Sequence, residues 1–124
     1  MIYLDTHVVI WLYADADKKF SNHAKDAMRN NDLFISQMVR LEMQYLYEIG
    51  RIKISPEVIL NSLRKSIGLA LAKTDSGLIV DSAIKIDWTR DVFDRLIVAQ
   101  AITDDAGLIT KDETICTNYD KAIW

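Results

Sequence analysis

Four acidic residues stand at places in this sequence where a fold can gather them. Asp5 follows the apolar run Ile2-Tyr3-Leu4, and Glu42 lies six residues past Ser36. Asp94 sits three residues after Asp91, and Asp112 follows Leu108-Ile109-Thr110. Carboxylates brought to one edge of a sheet repel one another strongly unless a cation compensates them. Oxygen donors suit a hard divalent ion, Mg²⁺ or Mn²⁺, and nothing suggests the His/Cys cluster that zinc prefers. Each acid also has a plain structural use. Asp5 can cap a helix beginning at Thr6, and Glu42 can be a solvated helical residue. Asp91 can cap a helix whose first turn holds Asp94, and Asp112 can be a turn residue. The set, rather than any member, carries the expectation of metal chemistry.

The elements that must position these residues are readable from pattern. Ile2-Tyr3-Leu4, Leu33-Phe34-Ile35, residues 69–71, 108–110 and 122–124 read as short buried strands. Residues 6–13 are apolar on most faces and read as a buried helix. Ser21 and Ser36 are N-cap candidates, the second for an amphipathic helix carrying Met38, Leu41, Tyr45, Leu46 and Ile49 and stopped by Gly50. Ser55-Pro56-Glu57 combines a cap, a proline at the first helical position and an acid in the first turn, for a helix reaching about residue 65. A further helical stretch covers 78–84. Asp91 opens a helix with Phe93, Leu96, Ile97 and Ala101 at helical spacing, ending near Gly107. Short apolar strands alternating with helices predict an α/β fold with a small parallel sheet of four to five strands covered on both faces. In such a sheet ligands collect at the carboxyl ends of strands.

Composition sets the boundaries. At 124 residues with one proline, four glycines and no repeat or linker, the chain reads as a single domain over 1–124. No apolar run reaches the roughly 18 residues of a membrane span. The strand-like start leaves no expected signal peptide, and the single cysteine, Cys116, cannot form an internal disulfide, so a cytoplasmic location is expected. A net charge of −3 argues against a protein that holds nucleic acid by bulk electrostatics. It leaves open an enzyme that meets phosphates through bound metal and a few local cations.

Asp5-Thr6-His7-Val8-Val9-Ile10-Trp11 after a first strand resembles the opening of PIN-domain ribonucleases, specifically the VapC-type toxins of toxin–antitoxin operons. The resemblance continues through Ser36 and Glu42, is strongest over residues 90–101, and resumes at Leu108-Ile109-Thr110-Lys111-Asp112. It covers essentially the whole chain. Val92 departs from the pattern, where this subgroup often has proline. The resemblance implies a three-layer α/β/α fold and an acidic quartet of Asp5, Glu42, Asp94 and Asp112, with Asp91 as a fifth ligand or a supporting group. It implies metal-assisted hydrolysis of RNA, a small VapB-like antitoxin as inhibitor, and a homodimer. Thr6, Arg40, Arg95, Thr110 and Lys111 are the expected substrate contacts. His7 is expected to lie outside catalysis, Cys116 to pack, and Trp11, Trp88 and Trp124 to serve core or interface.

Two other functions share parts of this pattern. A phosphotransfer domain also places Asp after its first strand, but the dehalogenase type wants a second Asp where His7 stands. A receiver wants an acceptor Asp after Leu33-Phe34-Ile35, where Ser36 stands. A catalytically silent PIN-like module that binds protein or RNA has no need of the filled quartet.

Overall fold

The computed structural model describes every residue from Met1 to Trp124. Five parallel strands, β1 (Ile2–Leu4), β2 (Leu33–Ile35), β3 (Ala70–Leu71), β4 (Gly107–Ile109) and β5 (Ala122–Ile123), form one sheet in the order β3-β2-β1-β4-β5. Seven helices connect them: α1 (Thr6–Tyr13), α2 (Asn22–Arg29), α3 (Gln37–Glu48), α4 (Pro56–Ile67), α5 (Ser76–Ile84), α6 (Val92–Thr103) and α7 (Glu113–Asn118), with a 3₁₀ turn at Asp17–Lys19. The chain runs outward from β1 through β2 to β3, then returns past both to β4. Right-handed crossovers put the outward and returning helices on opposite faces. Accordingly Ile2, Tyr3 and Leu4 are all buried, although alternate residues of a strand point to opposite faces. The fold is the α/β/α sandwich expected from the sequence.

Local chemistry accounts for the helix ends. Ser21, Ser36 and Ser55 each accept a backbone N–H of the following turn through their hydroxyls. Gly68, at φ 69°, ends α4 in a left-handed conformation that a side chain would resist. Three boundaries differ from expectation. Helix α4 runs on to Ile67, and α5 starts earlier, at Ser76, because Asp75 caps it. Helix α6 ends at Thr103 rather than near Gly107, since Asp105 turns left-handed at φ 52° and breaks the helix. Helix α7 has no expected counterpart.

On one face of β1, Tyr3 enters a closed polar network. Its hydroxyl donates to Asp104 Oδ2. The Thr74 hydroxyl reaches the same carboxylate at 2.8 Å, and the Gln100 amide donates to it at 2.7 Å and to Thr74 at 2.8 Å. Desolvation, then the Asp104 carboxylate, pushes the Tyr3 hydroxyl well above its ordinary pKa. Buried Gln100 belongs to α6 and Asp104 is the C-cap of that helix, so this network ties α6 to the central strand. Tyr3→Phe keeps the ring and leaves the network short of a donor, which should cost about 1–3 kcal/mol. Urea unfolding measures this, and a change below about 0.3 kcal/mol would show the network to be dispensable.

Candidate metal centre

The parallel register pairs Leu4 with Ile109. The next residue on each strand, Asp5 and Thr110, therefore meet at the carboxyl end of the sheet, where strand order reverses between β1 and β4. The Asp5 N–H donates to the Ile109 carbonyl at 3.0 Å, and the Thr110 hydroxyl donates to Asp5 Oδ2 at 2.6 Å. Asp5 Oδ1 accepts the Thr6 N–H at 2.8 Å, so the residue caps α1 and retains acceptor capacity on both oxygens. Buried Thr6 turns its hydroxyl to Glu42 Oε1. Glu42 arrives from α3, which is seated on the core by fully buried Val39 and Met43.

Two more acids come from helix starts. Asp91 caps α6 by accepting the Asp94 N–H at 2.9 Å, and the Asp94 carboxylate itself accepts no hydrogen bond. Asp112 caps α7 by accepting the Ile115 N–H at 2.8 Å. Asp5, Glu42, Asp91, Asp94 and Asp112 line one cavity of about 320 Å³, together with His7, Val8, Trp11 and Lys111. Five carboxylates there face one lysine and one histidine.

The electrostatic consequence is large. Desolvation, followed by repulsion from Asp91, Asp5, Asp112 and Glu42, raises Asp94 from 3.8 to about 7. Burial also raises Asp5 and Glu42, against the pull of the threonine hydroxyls and of His7. No three of these side chains stand as a preformed cluster able to hold an ion. Repulsion favours that spacing, and Asp5, Asp91 and Asp112 each spend one oxygen on a helix cap. The carboxylate donors are all oxygens, as a hard divalent cation requires, and compensating charge is what the cavity lacks.

The family model of the PIN domain matches residues 2–121. The chain belongs to the PIN-domain family. The fold is similar to a chain of VapBC2 from Rickettsia felis, solved bound to a DNA fragment from their promoter, at 19% identity and a TM-score of 0.69 over 100% of both chains. It is also similar to a chain of DNA-bound VapBC from Salmonella typhimurium, at 17% identity and a TM-score of 0.59 over 98% of this chain and 93% of that one. Among curated proteins none matches the sequence.

This PIN domain brings Asp5, Glu42, Asp91, Asp94, Asp112 and Lys111 together, but not every expected substrate contact. Arg40 bonds Gln37 at 2.8 Å and lines a separate groove between α3 and α4. Arg95 donates to the Ala83 carbonyl at 3.1 Å and so fastens α6 to α5. Thr6 and Thr110 are buried, and both hydroxyls are spent on carboxylates. Cys116 is exposed rather than packed. His7 and Trp11, which were not among the expected contacts, form a wall of the cavity. Their spacing of four residues on a helix opened by Asp5 was the available signal, because it puts them on one face.

The raised pKa has a thermodynamic sign. Between 3.8 and about 7 the folded PIN domain holds a proton on Asp94 that the unfolded chain has lost. Its contribution to stability therefore falls as pH rises through that window and is flat above it. Thermal melts of chelator-treated protein should show Asp94→Asn melting higher than wild type at pH 8, with the gap closing toward pH 5. An equal melting temperature at pH 8 would mean that the carboxylates do not strain the fold.

Proposed function

We propose that this PIN domain is a metal-dependent endoribonuclease, the VapC-type toxin of a toxin–antitoxin pair. In this reading Asp5, Glu42, Asp94 and Asp112 hold Mg²⁺ or Mn²⁺, with Asp91 as a fifth ligand or a support. The observation that carries it is the convergence of five carboxylates from four separate segments on one cavity at the strand-order reversal. Helix capping accounts for Asp5, Asp91 and Asp112 singly but not for bringing Glu42 and Asp94 among them, whereas a cation site does. PIN domains are generally nucleases that use divalent metal ions, which supports the same reading.

When bound, the cation supplies Lewis-acid stabilisation of the charge that develops on a phosphodiester during hydrolysis. The chain's own groups do the rest. Thr110 and Thr6 aim the Asp5 and Glu42 carboxylates, and the rigid α6 start presents Asp94. Lys111 is the one lysine on the cavity wall and meets a phosphate oxygen of the RNA. The His7 ring stands on the same wall as Asp5 and Glu42. Unstacked bases in RNA loops give the most accessible scissile bonds.

The similarity to chains of VapBC complexes supports a small VapB-like antitoxin that covers the acidic cavity. Exposed Val80 and Ile84, one helical turn apart on α5, offer an apolar patch for a homodimer. No helix is long and apolar enough to cross a membrane, and a cytoplasmic location is part of this proposal. The rival reading, a silent module that binds protein or RNA, draws on the lack of a preformed three-ligand cluster. The two separate in one assay. With Mn²⁺ or Mg²⁺ the purified protein should cut a mixed cellular RNA pool. Asp5→Asn and Asp94→Asn should each lower the rate about a hundredfold or more, the several kcal/mol a ligating charge is worth. Equal residual cutting by all three proteins would reveal a contaminant and favour the silent module.

A further inference from the structure

Beside the acidic cavity the polarity reverses. Trp11, which walls the cavity, packs edge-on against Trp124 at 5.9 Å between ring centroids and against Phe20 at 6.2 Å, while Phe20 and Trp124 stand 5.7 Å apart. His7 lies 6.0 Å from Trp11, on the same wall. The cluster is not closed: both indoles are only half-buried. Trp11 also borders a second cavity of about 420 Å³. The exposed parts of Trp11 and Trp124 therefore offer a planar group an aromatic wall beside the acidic cavity.

Two lysines sit over this wall. Lys19 Nζ is 5.3 Å from the Trp11 ring and Lys111 Nζ is 5.8 Å from the Trp124 ring. Both are exposed, and neither is paired with a carboxylate, the three ion pairs of the chain being Lys25–Asp17, Arg29–Asp26 and Lys121–Asp105. A lysine parked on an indole keeps its three donors available, so an incoming phosphate breaks no ion pair to reach it. Aromatic faces interleaved with free cations, next to a site read as handling phosphodiesters, match the repeat of a single-stranded polynucleotide, base and phosphate in turn. A duplex hides its base faces and has no use for indoles.

We infer that Trp11, Trp124, Lys19 and Lys111 form a subsite for a nucleotide flanking the scissile bond of single-stranded RNA, its base on the indoles and its phosphates on the lysines. The inference rests on the nuclease reading for the neighbouring cavity but is scored by binding rather than by cleavage. An eight-nucleotide single-stranded RNA is titrated into the Asp94→Asn protein with Mg²⁺, and tryptophan emission is followed. The oligomer should quench that emission, and a duplex of equal length should not compete. Lys19→Ala and Lys111→Ala, both exposed changes, should each weaken binding and reduce the slope of log K against log salt by about 0.7. Trp11→Phe, which keeps a ring in the cluster, should weaken binding several-fold with the melting temperature held within a few degrees. Unmoved emission, or lysine variants with wild-type affinity and salt slope, would overturn the subsite even if the wild-type protein cuts RNA. Lysine-dependent quenching by a protein whose wild type never cuts would uphold the subsite and remove the nuclease.

Discussion

Most of this molecule answers to the cost of holding Asp5, Glu42, Asp94 and Asp112 near one another without a counter-charge. Left to themselves such groups move apart or take up protons, and Asp94, at about 7, has gone part of the way. What keeps them in place is backbone. The Leu4–Ile109 register sets Asp5 beside Thr110, and caps at Asp5, Asp91 and Asp112 tie three acids to helix starts whose N–H groups and dipoles favour negative charge. The same hydrogen bonds stabilise the helices and lessen the repulsion, so the structural and chemical uses of these residues are not in competition.

The opposite end of α6 supplies the resistance. Asp94 can be pressed toward other acids only if its helix does not yield. Gln100 and Asp104, joined to Tyr3 and Thr74, fasten α6 to the middle strand, and Arg95 fastens it to α5. Buried residues Ile97, Val98, Ala99 and Ala101 between the two ends pack the helix to the sheet with small and branched side chains that leave little slack. The polar network is thus the mechanical counterpart of the acidic cavity.

Much of this was legible in the sequence because it depends on local chemistry. Short apolar runs mark the strands, and Ser21, Ser36, Ser55 and Asp91 announce helix starts by a side chain that can accept an N–H. The positions of Asp5 and Asp112 after strands follow from the same reading. Other features were hidden because they are decided by packing. Helix α7 has six residues and one buried side chain, Ile115, too little for a periodicity. The Tyr3–Asp104 bond joins residues 101 apart, and no local signal foretells it. Arg40 and Arg95 have the right charge and lie close in sequence to Glu42 and Asp94. A helix, however, turns its neighbours about 100° aside, and both arginines serve elsewhere. Helix α1 is apolar nearly all round, so which face opens on the cavity, and with it the place of His7 and Trp11, was set only by the elements packed against it.

If this cavity is built for a divalent cation, calorimetric titration of Mn²⁺ into metal-free protein near pH 6.5 shows saturable binding. Because Asp94 holds a proton over part of its population at that pH, binding should release protons, seen as a heat that varies with the ionisation enthalpy of the buffer. Asp94→Asn should lose both the tight binding and the buffer dependence. No saturable heat in the wild-type protein, or equal binding by wild type and Asp94→Asn, would mean that these carboxylates hold no cation.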